Sequence, residues 1–510
     1  MFLNALEKQI LDDYNVSITE NGAVGYRTTG KALLDMNFKV TSMRNMKDRQ
    51  IIDLFNNAWA ENKELALKWL FYLRDVRGGL GERRSFRVIL KSIADELSDA
   101  TMEHLLPLIM EYGRADDICV LLDTNRRTMV AKFCIQTLRD DWRKMEKGAS
   151  ISLMAKWLPT GRRGKKNPEK KRWAQILREE WGMNVGDYRR SLGKLKRHLD
   201  LVEYKMTNNE WSGIDYKAVP SGANLKYNKA FLRHDEARRR KFLEAVMKGE
   251  QKMNASVLFP HDIVHQYGIT CYSRKKEDAS LEAMWKSLKS VEAPNTIVVA
   301  DGSGSMTARV GNTNVSALTV ANALAIYFAE RLQNEFKNTY ITFSHTPQLV
   351  KLGEGTSLKQ KLEIALEHDE VANTNIEAVF DLILNTAVRN HMTQEELPKS
   401  ILILSDCEFD CMVESGRRRG YGYEPVSANL FKEIAKKYAA HGYKLPKLIF
   451  WNLISRTGTI PVKENEMGVA LISGFSPNTI KMVMNEETDP YKALLSVILS
   501  ERYAPVVLKN

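Results

Sequence analysis

An aspartate and two serines, separated by single glycines, close a short apolar run. They are Asp301, Ser303 and Ser305, with Gly302 and Gly304 between them. The glycines let the chain turn sharply enough for the three side chains to converge. One carboxylate and two hydroxyls at a common point make a hard-oxygen donor set, suited to Mg²⁺ or another hard divalent cation. Two further positions can join them. Thr374 follows Ala372 and Asn373 where a loop gives way to a helix, and offers another hydroxyl. Asp406 closes a second apolar run at 401–405, with Glu408 and Asp410 just beyond it. No histidine stands near either aspartate in sequence, and neither a nucleophile motif nor a second metal cluster accompanies them. A single Mg²⁺ site of this kind can bind without catalysing, so no enzyme activity is expected and no residue is assigned a catalytic role.

The elements that must carry these residues follow from the pattern around them. The run 296–300 is apolar at nearly every position, as a strand covered on both faces requires. Asp301 then lies at its C-terminal end, where open α/β sheets bind ligands. Further strands are expected at 339–343, 348–352, 400–405, 447–453 and 469–473. Between and after them, helices are expected at 315–335, 357–367, 375–389 and 426–441, after Pro477 and from Asp489. Strands alternating with helices in this way predict a doubly wound, mainly parallel sheet. Upstream, residues 46–290 read as helical throughout. Ile51, Ile52, Phe55, Ala58 and Trp59 recur at helix spacing, and similar segments span 86–97, 102–110, 128–145, 172–181 and 238–247. Helix pairs recur about every 40 residues, consistent with HEAT-like hairpins. Residues 1–45 read as irregular. The fold class is therefore α plus α/β, with a helical HEAT-like domain at 1–290 and a Rossmann-like domain at 291–510.

Charge singles out one part of the helical half. The chain of 510 residues has a net charge of +12. Residues 156–250 hold 24 Lys and Arg against 12 Asp and Glu, so this segment carries the whole excess. A localised basic excess is the footprint of a polyanion partner. Lys156, Arg162, Arg163, Lys165 and Lys166 surround a Pro- and Gly-bounded loop beside Trp157. Lys170, Lys171 and Arg172 continue it, followed by Arg189, Arg190, Lys194, Lys196 and Arg197, and by the run from Arg238 to Lys241. Such groups can neutralise phosphates while the tryptophan stacks on a base. The bland reading is a solvated face with Trp157 in the core.

Other features exclude rather than assign. Five scattered cysteines point to a reducing, cytoplasmic setting rather than a disulfide framework. The Cys407/Cys411 pair lacks the second pair that zinc needs. The opening nine residues are polar with an early acidic group, unlike a secretory signal, and no apolar run is long enough to span a membrane. A soluble monomer is expected. Gly25 to Ala32 nearly matches a phosphate-binding loop, but Ala32 stands where a hydroxyl would hold Mg²⁺ and no strand pattern leads into it.

Two resemblances add to this reading. Asp301, Ser303, Ser305, Thr374 and Asp406, in that order on a Rossmann-like sheet, resemble the metal-ion-dependent adhesion site of von Willebrand factor A domains. That likeness implies that the serines and the threonine ligate Mg²⁺, that the aspartates do so directly or through water, and that an acidic side chain of a protein partner completes the metal. Where many members have two glycines before the threonine, this chain has Ala372 and Asn373. The stretch Arg74-Asp75-Val76-Arg77-Gly78-Gly79-Leu80-Gly81-Glu82-Arg83 reads physically as an αα-hairpin corner fixed by Arg77, Glu82 and Arg83. It also resembles the signature of the TROVE module of Ro-type proteins, in which that module precedes an A domain. The nearest resemblance is to an uncharacterised Ro-like branch, a domain of unknown function of plants, microbes and viruses. It implies a helical-repeat ring that binds structured and single-stranded non-coding RNA. The basic segment 156–250 then becomes a candidate RNA surface on a non-catalytic ribonucleoprotein scaffold. The alternative is a metal-dependent protein-interaction module without an RNA role.

Overall fold

A computed structural model describes residues 15–18, 24–161, 167–268, 276–290, 295–332, 336–343, 346–368, 376–407, 434–460, 469–482 and 489–509. The chain has α plus α/β architecture and divides into two compact units. One comprises Met1–Glu61 with Leu258–Ile498, the other Asn62–Val257 with Leu499–Asn510. Both units are therefore discontinuous in sequence, whereas the sequence suggested one cut at 290.

The first unit is built on a six-stranded sheet: β3 (Thr296–Asp301), β4 (Thr339–Phe343), β5 (Leu349–Lys351), β6 (Ser400–Ser405), β7 (Lys447–Asn452) and β8 (Val469–Ser473). The strand order is β5-β4-β3-β6-β7-β8, and every pair is parallel except β4 with β5. Every residue of β3 is buried, as its unbroken apolar run demands. Alternate residues serve opposite faces. Ile297, Val299, Ile401, Ile403, Leu448 and Phe450 join one cluster with Val379, Phe380 and Leu384 of the helix Ile376–Arg389. In the same unit the helix Ala317–Arg331 brings Phe328 against Trp451, with ring centroids 5.7 Å apart.

The stretch expected to be irregular is partly ordered. β1 (Val16–Ile18) pairs antiparallel with β2 (Val24–Tyr26), and Ala32–Phe38 is a helix. Strands of three residues carry no periodic signal. The helix buries six of its seven residues, so its sequence shows no polar face to reveal the period. The near-match to a phosphate loop is a structural turn. Thr29 donates from both its amide and its hydroxyl to Asp35 Oδ1, each at 2.7 Å, and the Lys31 ammonium lies 5.3 Å from the Tyr491 ring centre. The three-residue strand Val24–Tyr26 overlaps the first two positions of that motif.

The second unit contains helices and no strand among its described residues. Its main helices are Lys63–Arg74, Arg84–Ile93, Asp99–Tyr112, Arg127–Glu146, Pro168–Glu180, Val185–His198, Ser221–His234 and Glu236–Met247. Asn62, Ser98, Asn167 and Asn184 start four of them by accepting the amide three residues on, each worth about 1 kcal/mol. The cap at Asn167, with Pro168 in the first turn, starts that helix earlier than its apolar period suggested. At the 74–83 corner, Asp75 is fully buried and accepts from Arg502 Nη2 at 2.8 Å, from the Tyr503 hydroxyl at 3.0 Å and from the Arg77 amide at 2.9 Å. Arg74 pairs with Asp117 at 2.7 Å. Arg74 and Asp75 thus add ion pairs to this corner.

Candidate metal centre and basic helical surface

The chain runs from β3 to β4 and β5 on one side, then returns to place β6 on β3's other side. The strand order therefore reverses between β3 and β6, and the crevice outside the carboxyl ends of those two strands is the usual ligand site of such a sheet. Asp301 ends β3, while Ser405 ends β6 with Asp406 next. The register pairs Ala300 with Leu404, so the two chain ends leave the sheet side by side.

The polar atoms converge as the spacing requires. The Ser303 amide donates to Asp301 Oδ1 at 2.9 Å, and the Ser303 and Ser305 hydroxyl oxygens are 2.9 Å apart. Ser405 was not singled out in the sequence, yet its hydroxyl donates to Asp301 Oδ2 at 2.6 Å. Its signal was present: it is the hydroxyl residue immediately before Asp406, at the end of a buried strand. The Cys407 amide in turn donates to Ser405 Oγ at 3.1 Å, and Cys407 adopts φ +59°. Arg456, from the loop after β7, had no sequence signal. Its Nη2 lies 3.7 Å from Asp406 Oδ2 and 3.5 Å from the Ser305 carbonyl oxygen.

Both carboxylates are almost wholly buried, Asp301 at 1% exposure and Asp406 at 2%. Burial first, and the charge of Asp406 second, push the Asp301 carboxyl up to about 7, against the hydrogen bonds from Ser405 and Ser303. Two carboxylates in a dry pocket disfavour each other's charge, and hard oxygen donors around them fit a hard divalent cation. Among the described residues no three His, Cys, Asp or Glu side chains gather at metal-holding distance. A cation here would therefore depend on the hydroxyls. Thr374, Glu408, Asp410 and Cys411 lie outside the described residues.

The candidate polyanion residues divide into anchored and unpaired groups. Arg162, Arg163, Lys165 and Lys166 lie outside the described residues. Arg172 pairs with Asp123 at 2.6 Å, and Arg190 pairs with Asp187. Arg189 donates to the carbonyls of Thr160 and Gly161. Lys194 lies 5.5 Å from the Trp142 ring centre, and Lys156 approaches Glu203 only at 3.9 Å. Lys170, Lys171 and Arg197 are exposed and form no ion pair with the described residues. Lys196 is half-buried on the helix Val185–His198. Trp157 is half-buried, with the Arg114 guanidinium 3.9 Å from its ring centre. The downstream basic run is not a uniform surface. Arg239 is fully buried among Tyr216, Phe231 and Phe242, and donates to Asn224 Oδ1 at 3.1 Å.

Comparisons with known proteins agree with two regions. A family described as Domain of unknown function (DUF7788) matches residues 295–496, the stretch that holds β3 to β8. Another, Domain of unknown function (DUF2828), matches residues 19–94 and 165–293. The chain is 28% identical to an uncharacterized protein of Acanthamoeba polyphaga mimivirus, over 97% of this chain and 89% of that protein. Among solved structures, the crystal structure of the Deinococcus radiodurans RO (RSR) protein matches with 12% identity and a TM-score of 0.34. The match covers 89% of this chain and 92% of that one. At that TM-score the two superpose too loosely for a residue to be carried across. No helix among the described residues is long and apolar enough to cross a membrane.

Proposed function

We propose that the protein is a non-catalytic RNA-binding scaffold, cytoplasmic and acting as a monomer, whose sheet unit carries a separate Mg²⁺-dependent contact for an acidic group of a protein partner. The observation that carries the RNA half is the localisation of the whole net charge within residues 156–250, with Lys170, Lys171 and Arg197 left without an ion pair among the described residues. Cations held by carboxylates are already neutralised, whereas these remain for phosphates. The observation that supports the second half is the pair of buried carboxylates, with three serine hydroxyls about them, at the reversal of strand order. Thr374 would add a hydroxyl to the same cation, as the adhesion-site resemblance implies.

Filter binding of structured and single-stranded RNA at rising salt tests the first half. Each phosphate neutralised on a single strand contributes about −0.7 to the slope of log affinity against log salt. Three unpaired cations in contact give a slope of roughly −2. A flat response, or no RNA binding, removes the RNA role. The runner-up, a metal-dependent interaction module alone, is favoured if pull-downs with Mg²⁺ but not with EDTA recover a partner, Asp301→Ala loses it, and RNA binding is absent.

A further inference from the structure

A cavity of about 630 Å³ lies within the helical unit, a size typical of small-molecule sites. Its walls come from the short helix Met154–Trp157 and the chain after it, the first turn of Pro168–Glu180, and Val185–His198. Among the described residues, six cationic side chains line it, Arg87, Lys156, Lys170, Lys171, Arg189 and Lys196, against one carboxylate, Asp116. Asp116 and Asp117 already hold Arg87, at 2.9 and 2.6 Å. The Arg189 guanidinium is fixed by two backbone carbonyls, which orient it without cancelling its charge.

Two of the lysines are placed against the interest of their own helix. Lys170 and Lys171 sit in the first turn of Pro168–Glu180, where the helix presents its positive end and cations are disfavoured. Glu169 in the same turn offsets part of this, and an anion between that turn and Lys196 would relieve the rest of the repulsion. The same cavity is also lined by Trp157, Trp173 and Tyr204. The Trp173 indole N–H is fixed on Asp123 Oδ2 at 3.0 Å, and Arg114 packs over Trp157. Rigid aromatic rings beside an anion site suit a planar, phosphorylated ligand.

We propose that this cavity binds a nucleoside phosphate, with the phosphates at Lys170, Lys171 and Lys196 and the base against Trp157. The site shares lysines with the RNA surface suggested above but does not depend on that reading. The ligand's chemistry is common to a free nucleotide and to the terminal nucleotide of a phosphorylated RNA, and the experiment separates them. Isothermal titration of the full chain would use ATP, AMP, adenosine, tripolyphosphate and a 5′-phosphorylated oligoribonucleotide at physiological salt. ATP should bind more tightly than AMP, and adenosine least. Replacing the exposed pair by Lys170→Gln with Lys171→Gln should weaken ATP by about tenfold or more, since each is a charge-assisted contact. Trp157→Leu should weaken ATP but leave tripolyphosphate unchanged. Displacement of ATP by the oligonucleotide assigns the site to both sources, and its failure assigns it to free nucleotides. The inference is overturned if no nucleotide binds at 1 mM, on the order of the weakest useful affinities. It is equally overturned if tripolyphosphate matches ATP, or if the lysine pair is without effect. RNA binding with the expected salt slope, in the absence of nucleotide binding, removes this inference and leaves the scaffold reading standing.

Discussion

The glycine-rich corner at 74–83 invites two incompatible explanations, a nucleic-acid contact or a structural joint, and substitutions there separate them. A Cβ on Gly79 would lie 2.1 Å from the Tyr72 carbonyl oxygen, a backbone atom that cannot step aside alone. The corner would have to open. That strains the bonds from the Gly79 amide to the Asp75 carbonyl (3.0 Å) and from the Leu80 amide to the Tyr72 carbonyl (3.1 Å). The expected cost of Gly79→Ala is about 3 kcal/mol. Asp75→Ala removes a fully buried carboxylate from Arg502, Tyr503 and the Arg77 amide. Breaking a buried pair costs about 3–5 kcal/mol. Arg502 keeps 38% exposure and can regain water, which places the loss near 3 kcal/mol. For a unit of this size, that lowers Tm by roughly 6–12 °C. Thermal denaturation reads the stability, and filter binding well below the transition reads RNA affinity per folded molecule. Both variants should be less stable with unchanged affinity. Lys170→Gln with Lys171→Gln should show the reverse, weaker binding at nearly constant Tm. A Gly79→Ala protein as stable as the parent, or an Asp75→Ala protein that stays folded but loses RNA tenfold, would refute the structural assignment.

The Asp301 carboxyl is raised to about 7, above its unfolded value of about 3.9. Its contribution to stability is therefore fully present below about pH 4 and is lost as pH rises through about 7. Mg²⁺ should restore stability at the upper end, and Asp301→Asn should flatten the profile. Denaturation curves from pH 4 to 8 with the same slope in both proteins would contradict this. Arg456 already presents a positive charge to Asp406, so an incoming cation competes with it. At 38% exposure the pair contributes at most about 1 kcal/mol, and Arg456→Ala should tighten Mg²⁺ by up to about fivefold. Weaker Mg²⁺ binding in that variant, measured by titration calorimetry, would instead make Arg456 part of what holds the site together.

What the sequence revealed, and what it hid, follows from the range of each interaction. β3 and β6 are unbroken apolar runs ending in polar residues, so both the strands and the positions of Asp301 and Asp406 were legible. The Ser405 hydroxyl was equally visible, but its role depends on the β3–β6 register, which spacing does not encode. Asp75 was opaque for a different reason. Its partner Arg502 lies 427 positions away, and no local pattern predicts an ion pair that closes such a loop. The burial of Arg239 could have been read. It precedes Phe242, Leu243 and Val246 by three, four and seven residues, the spacing of one helix face, and all four are buried. Counting charge along the chain overlooked a period that was already in the sequence.

Net charge must accordingly be weighed by what each cation already touches. The arginines of the basic segment are largely committed. Arg172, Arg190 and Arg240 pair with carboxylates, Arg189 and Arg238 reach backbone carbonyls, and Arg239 is enclosed by aromatic rings. A planar fork with five donors suits such fixed, multidentate anchoring. Lysine suits it less well, being a mobile point charge with a strongly hydrated head. Lys170 and Lys171 remain without an ion pair among the described residues. They sit at a helix end whose own field disfavours them. Most of the arginines therefore shape this region, while Lys170, Lys171 and Arg197 are left for an anion, and the lysine pair, which shares the cavity, is the sharpest mutational test of whether that anion binds.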